Sequence, residues 1–326
     1  MNDAQELWFT GPGQVEIRAA PVPRPQAGQL LVRAVASGIS QGTELLLYRG
    51  EGPTLFDPSL GTSGTYPCRY GYAWVGVVEA GDPAPLQLEP GRLVFALVPH
   101  GSHHALDVGR IRPLDREIPP ERAVLAANLE TAVNCVWDAG VGLGDRVVVL
   151  GAGVVGLLAT WLFVRSGCSV RVVEPAPARR ALGALLGAAS VPPDQDQPAG
   201  DADVVVEATG DPATLARAIA HARDEATIVV VSFYGARRAP LELGSDFHRR
   251  RLVLRSSQVS QVPAARARRW SIDRRFKLVE QLLREAVLDR FVTRVVPFAA
   301  APAVYAELDR APGSSIQTVF TYPWTR

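Results

Sequence analysis

Residues 144–174 constrain this chain more than any other stretch. An apolar strand, Val147-Val148-Val149-Leu150, runs into Gly151-Ala152-Gly153-Val154-Val155-Gly156; an uncharged segment continues to Val164, and a second strand ends on Glu174, 18 positions after Gly156. This order opens a dinucleotide-binding βαβ unit. Gly151 lets the chain turn tightly, Gly153 lets backbone N–H groups approach a pyrophosphate, and Gly156 lets helix and strand pack closely. Val154 and Val155 begin the helix whose N-terminal partial charge favours that anion. Glycines at these spacings also recur in ordinary turns; the flanking strand, uncharged helix and acidic strand end favour the nucleotide.

A chain of 326 residues is long enough for two domains and a sizeable core. No apolar run approaches the ~20 residues of a membrane-spanning helix. Met1-Asn2-Asp3-Ala4-Gln5 lacks the basic start and apolar core of a secretory leader. With 34 basic and 33 acidic residues the net charge is +1, which gives no global attraction to nucleic acid or an anionic membrane. Cys68, Cys135 and Cys168 have no CxxC spacing, so reduced thiols in a cytoplasmic setting are expected. The basic residues are nearly all arginine, with Lys277 the sole lysine.

Between about Leu7 and Asp107, short apolar runs such as Leu30–Val35 and Val75–Val78 are punctuated by Gly and Pro, which predicts a mostly β domain with long loops. After about Leu129 the rhythm changes. Strands are predicted over 146–150, 169–174, 203–208, 227–233 and 251–256, with helices over 154–166, 178–187 and 212–222. That alternation predicts an α/β region with a doubly wound parallel sheet. The proline-rich segment 191–198 is predicted as a loop. An arginine-rich stretch, 264–275, leads into a helix carrying Phe276, Val279, Leu282 and Leu283, followed by strand-like Phe291-Val292 and Val295–Phe298.

Ser37-Gly38-Ile39-Ser40-Gln41-Gly42-Thr43-Glu44, Gly71–Val78, Gly144-Asp145, Val206-Glu207-Ala208-Thr209-Gly210 and Val295–Phe298 stand in this order around the glycine turn. In these segments the chain resembles the medium-chain dehydrogenase/reductase, or alcohol dehydrogenase-like, superfamily over essentially its whole length. The resemblance implies a GroES-like substrate and catalytic domain over 1–128, a Rossmann NAD(P)-binding domain over 129–259, and a return segment over 260–326. Zinc-dependent members carry a cysteine where this chain has Ser40 and Gln41, with one residue more, and Gly-His-Glu where it has Gly71-Tyr72-Ala73. The third ligand region falls near Ala126-Ala127, and the four-cysteine lobe for a structural zinc is missing. Zinc sites use Cys, His or carboxylate. The pattern therefore resembles a zinc-independent branch, with no metal expected. His100-Gly101-Ser102-His103-His104 offers imidazoles, but its loop context and want of thiolate or carboxylate partners argue against a metal there.

A carboxylate at Glu174 accepts hydrogen bonds from ribose hydroxyls and repels a 2′-phosphate, so NAD(H) is favoured; Arg179 and Arg180 keep NADP(H) open. The resemblance implies that Thr209, Gly210, Ser232 and Tyr234 line the nicotinamide side. Hydride exchange with a carbinol also requires a group that handles the hydroxyl proton. Tyr72 is the candidate donor, Thr43 a relay and His100 the nearest imidazole, while Tyr72 beside Tyr70 and Trp74 also reads as an aromatic pocket wall. Glu130, among apolar neighbours, is either functional or a structural cap. Arginines 249–251, 266, 268, 269, 274 and 275 read as a solvated face, with an anion clamp as the alternative.

The function expected is a zinc-independent NAD(P)-dependent oxidoreductase (EC 1.1.1.-) acting on a secondary alcohol or carbonyl of a small-molecule substrate. Alternatives are enoyl or quinone C=C reduction and non-catalytic NAD(H) sensing. Ser-Gly-Ile-Ser and Gly-Thr-Glu at this spacing are also similar to the bacteriochlorophyllide dehydrogenase branch, which admits oxidation of a side-chain hydroxyethyl on a larger molecule. A homodimer through the edge of the cofactor sheet, near Ile228–Val230 and Leu252–Leu254, is expected from the resemblance.

Overall fold

The computed structural model describes residues 3–52, 65–81 and 88–323. Contacts divide the chain into two compact units, Met1–Ala127 with Glu280–Arg326, and Asn128–Val279.

The first unit opens with an antiparallel hairpin of β1 (Ala4–Gly11) and β2 (Gln14–Ala20). β3 (Gln29–Gly38) follows, with Leu30, Val32, Ala34 and Ala36 buried at alternate positions, the period of a strand with one core face. Then come α1 (Gln41–Arg49), β4 (Ala73–Gly81), β5 (Leu93–Ala96), β6 (His103–Asp107), β7 (Arg112–Pro113) and α2 (Pro120–Ala123). α3 (Ala126–Ala139) leads into the second unit.

There β8 (Arg146–Leu150), α4 (Val154–Arg165), β9 (Ser169–Val173), α5 (Pro177–Leu185), β10 (Ala189–Val191), β11 (Ala202–Glu207), α6 (Thr214–His221), β12 (Ala222–Val230) and β13 (Val253–Ser256) build a six-stranded sheet. Its order is β10-β9-β8-β11-β12-β13 and every pairing is parallel. The order reverses between β8 and β11, and ligands of such sheets lie at the carboxyl ends of the strands at that point. α7 (Ala264–Ala267) and α8 (Ile272–Leu282) lead back.

β14 (Val292–Pro297), α9 (Ala301–Arg310) and β15 (Gln317–Thr321) complete the first unit, whose sheet runs β14-β15-β3-β4-β5-β7 with β6 also paired to β3. Phe320 of β15 lies opposite Ser37 of β3. The closing strand thus supplies a wall beside the Ser37–Thr43 segment.

The α/β architecture agrees with expectation, and several details differ. Residues 260–279 associate with the cofactor unit because α8 is tied to α3: Arg275 bonds Glu130 and Asn134, and the Trp137 and Trp270 rings lie 4.7 Å apart. The segment expected to be a loop from 191 begins as the end of β10, which pairs with Arg171–Val173 of β9 and is too short to show a period. The two strand-like runs near 291–298 form one strand, β14. Of the first five residues, Met1 and Asn2 lie outside the described residues. No helix among the described residues is long and apolar enough to cross a membrane. All three cysteines are buried and free of disulfides, and burial pushes the Cys135 thiol up.

Arg122 fastens the return segment. The side chain is buried, donates to both Asp289 oxygens at 2.7 Å, and donates from Nη1 to the Leu283 and Arg284 carbonyls at 3.3 Å. Arg122→Ala strands those acceptors, and the expected loss is roughly 2–3 kcal/mol in urea unfolding. Asp289→Asn, which keeps the carbonyl bonds, is expected to lose less; equal losses contradict this assignment.

Candidate functional site

The glycine turn joins β8 to α4. Gly151 has φ 91°, and a Cβ there stands 2.8 Å from the Ala208 carbonyl oxygen. A Cβ on Gly156 stands 2.1 Å from the Gly151 carbonyl oxygen. Both positions are closed to larger residues by the protein itself. Gly153 differs: it has extended backbone and a Cβ there meets nothing within 4 Å. A methyl group at Gly153 therefore meets no protein atom. Val154 and Val155 form the first turn of α4, and Gly153 puts no capping side chain over its N–H groups. This combination suits a phosphate-bearing ligand.

Glu174 holds the turn in place. Its carboxylate is buried, with Oε2 accepting from Ala152 N at 2.7 Å and Oε1 from Ala176 N at 2.9 Å. Each oxygen accepts one of these bonds and retains further acceptor capacity. Arg179 is half-buried in the first turn of α5, and Arg180 Nη1 donates to the carbonyls of Glu174 and Pro175 at 2.8 and 2.5 Å.

A second buried carboxylate, Glu207, organises the ends of β11 and β12. Oε1 accepts from Thr209 N at 2.8 Å, from Thr214 Oγ1 at 2.9 Å and from the Thr209 hydroxyl; Oε2 accepts from Tyr234 OH at 2.5 Å. Gly210 N donates to Ser232 Oγ at 2.9 Å. Four of the expected cofactor residues, Thr209, Gly210, Ser232 and Tyr234, are thus brought together. Burial, and then the bond to Glu207, push the Tyr234 phenol up. Sequence reasoning quoted Glu207 within a family segment but gave it no role, although an acid closing the apolar run Val204-Val205-Val206 signals a buried, partnered carboxylate.

Glu130 is paired. Arg275, 2% exposed, donates from Nε to Glu130 Oε1 at 3.1 Å, from Nη1 to Asn134 Oδ1 at 2.9 Å and from Nη2 to the Val259 carbonyl at 2.7 Å. Arg250 and Arg251 face Asp224 and Glu225, while Arg266 and Arg274 lie over the Trp137 and Trp270 rings. These guanidinia are engaged with acids and aromatic rings of the chain itself.

The remaining expected residues are in the first unit. Ser40 is the N-cap of α1, and its Oγ shares a short hydrogen bond with Tyr72 OH, which also lies 3.4 Å from Thr43 Oγ1. Burial pushes the Tyr72 phenol up, while the two hydroxyls pull it down. The Tyr70 ring meets Tyr72 edge-on at 6.1 Å, whereas Trp74 is core, with Nε1 donating to the Gly101 carbonyl at 2.9 Å. His100 is 1% exposed and hydrogen-bonded at both nitrogens, Nδ1 with Ser37 Oγ at 2.7 Å and Nε2 with Glu44 Oε2 at 3.0 Å. Glu44, fully buried, also accepts from Ser40 N at 2.8 Å and from Tyr305 OH; Ser37 Oγ lies 2.8 Å from Tyr322 OH. Sequence reasoning gave no role to Glu44, Ser37, Tyr305 or Tyr322; Tyr305 of α9 reaches Glu44 across 261 residues, and Tyr322, just past β15, reaches Ser37 of β3 across 285.

At the two positions that the resemblance sets against zinc ligands, Ser40 and Tyr72 offer hydroxyls bonded to each other. Zinc takes thiolate, imidazole or carboxylate, so these residues do not fit it. In the histidine run, His103 Nδ1 meets Ser102 Oγ at 2.9 Å and His104 Nε2 meets the Pro99 carbonyl at 3.0 Å; burial lowers His104 to about 3.

A family profile for NAD(P)-binding domains matches residues 143–233. The 2-desacetyl-2-hydroxyethyl bacteriochlorophyllide A dehydrogenase of Rhodobacter capsulatus is 30% identical over 246 residues, 71% of this chain and 74% of the relative. The D-guloside 3-dehydrogenase of Escherichia coli K12 is 28% identical over 233 residues, 67% of each chain. A Sinorhizobium meliloti 1021 protein described as a zinc-binding dehydrogenase, and bound to NADP, has a TM-score of 0.81 at 20% identity over 98% of this chain and 100% of its own, a likeness of fold. The chain belongs to the medium-chain dehydrogenase/reductase, or alcohol dehydrogenase-like, superfamily. It is an NAD(P)-binding oxidoreductase.

Gly153→Ala is expected to change stability by no more than about 0.5 kcal/mol and to weaken NADH binding roughly tenfold or more, read by fluorescence titration. Gly156→Ala is expected to lose about 1–3 kcal/mol of stability. Unchanged NADH affinity in Gly153→Ala would falsify the phosphate assignment.

Proposed function

We propose that this protein moves a hydride between a nicotinamide coenzyme, NAD(H) by preference, and a secondary alcohol or carbonyl, with a tyrosine in place of a metal ion. The observation that carries this reading is the Tyr72 hydroxyl, hydrogen-bonded to Ser40 and near Thr43 on the loop where zinc-dependent relatives keep ligands. The coenzyme, when bound, supplies or accepts the hydride. The chain's own residues deal with the proton. In the reducing direction Tyr72 donates its phenolic proton to the oxygen that gains charge, and Ser40 and Thr43 steady the phenolate left behind. In the oxidising direction the same hydroxyl receives the alcohol proton.

His100, with both ring nitrogens engaged and no exposure, acts behind this group and not on the substrate. Glu130 is a structural partner of Arg275. Glu174 supports the preference for NAD(H), since a carboxylate at the end of the second strand of such a unit repels a 2′-phosphate. Oxidation of a hydroxyethyl group and of position 3 of a guloside, in the relatives' names, supports carbinol chemistry.

A homodimer is part of the proposal. β13 is an edge strand with Val253 and Leu254 about 40% exposed, whereas Ile228 and Val229 are buried in the unit's core. Leu254→Arg is expected to shift the sedimentation of the protein from dimer to monomer; an unshifted dimer places the interface elsewhere.

The test is a screen of alcohols, ketones and enones with NADH and NADPH, followed by Tyr72→Phe on the best substrate. A fall in kcat of about 10²–10⁴ with little change in KM is expected. Because burial raises the Tyr72 phenol, carbonyl reduction should stay level past neutrality and decline only above pH ~10, while alcohol oxidation climbs with pH. Full activity in Tyr72→Phe, or enones as the only substrates, contradicts the proposal.

A further inference from the structure

We propose that Glu44 and His100 are positioning residues that set the distance between the Ser40 and Tyr72 hydroxyls. This rests on the reading of that pair above and adds what fixes its geometry. Neither Glu44 nor His100 hydrogen-bonds the two hydroxyls, so their effect is exerted through the backbone that carries them.

On the Ser40 side, Glu44 holds the residue twice. Its carboxylate accepts from Ser40 N at 2.8 Å, and its own N–H donates to the Ser40 carbonyl at 2.8 Å. A side chain reaching back to the N-cap N–H is the logic of a capping box, here one residue longer than usual. With its N–H and C=O both pinned, the Ser40 backbone is held in place, and Oγ bonds Tyr72 OH from that fixed carrier.

On the Tyr72 side the contact is made by His100. Gly71 has φ 124°, and a Cβ there stands 2.7 Å from His100 Cδ2 and 2.9 Å from Nε2. His100 N donates to the Tyr70 carbonyl at 3.2 Å. The imidazole therefore fills the space that lets residues 70–72 pass close by. The ring is itself locked by Ser37 and Glu44 at its two nitrogens and by the Phe320 ring edge-on at 5.4 Å. Since the 3.0 Å bond between Glu44 and His100 joins the two sides, one buried pair registers both hydroxyl carriers at once. A simple strut for α1 needs only the Ser40 half of this arrangement.

The experiment is carbon NMR of the full chain labelled at tyrosine Cζ, at neutral pH, with the Tyr72 resonance assigned by its disappearance in Tyr72→Phe from among seven tyrosines. Ser40→Ala marks where Tyr72 resonates without its partner. Glu44→Ala is expected to move Tyr72 at least half of the way to that mark. Glu44→Gln, which keeps an acceptor for Ser40 N but not the charge, is expected to stay near the parent position. A Tyr72 signal unmoved in Glu44→Ala overturns the inference, and so does an equal movement in both variants, which indicates a field effect alone. Where Glu44→Ala loses cooperative unfolding, His100→Gln replaces it, with the same displacement expected and an unmoved signal overturning the inference. Failure of the catalytic reading is separate: activity retained in Tyr72→Phe removes the chemical role of the hydroxyl pair and leaves the NMR outcome intact.

Discussion

A carboxylate cut off from water persists only where donors surround it, and Glu44 is the group in the first unit on which this requirement falls hardest. Its three donors come from three places along the chain, the N-cap Ser40, the loop residue His100 and Tyr305 of α9, and His100 is held in turn by the β3 residue Ser37. Satisfying Glu44 forces these segments into one arrangement. The hydroxyl pair at Ser40 and Tyr72 is a product of that arrangement, and the chemistry assigned to the pair depends on it.

The second unit repeats the device. Glu174 closes the glycine turn by accepting from Ala152 and Ala176, and Glu207 gathers Thr209, Thr214 and Tyr234. Charge-assisted bonds to backbone N–H and hydroxyl groups are stronger than neutral ones and geometrically demanding. Loops held this way keep their shape before a ligand arrives, which lowers the ordering cost of binding. Glycine contributes the complementary part: Gly151, Gly156 and Gly71 let backbone or imidazole approach where a Cβ blocks. A Cβ on Gly153, by contrast, meets no protein atom within 4 Å, which leaves room for a ligand at the glycine turn.

Much of this was legible in the sequence. The βαβ unit announced itself through apolar runs and glycine spacing, because local turn geometry and strand–helix packing are encoded within thirty residues. β8 matches its expected span over 146–150, and α4 nearly so. β10 was missed, since three residues at a sheet edge carry no period, and α3 was not singled out as a helix. The second boundary moved to Val279 because Arg275, which looked like one arginine among many, is the buried partner of Glu130. Side-chain partners of this kind lie over a hundred residues apart, and no spacing rule reports them. The same holds for Tyr305 and Tyr322, brought to Glu44 and Ser37 by the return of the chain.

The central claim is that hydroxyl side chains, and no metal ion, handle the proton. It is tested most directly by measuring hydride transfer before and after exhaustive chelation, with zinc quantified in the same samples. The account predicts unchanged turnover at zinc contents far below one per chain. Turnover that disappears on chelation and returns with stoichiometric zinc contradicts it.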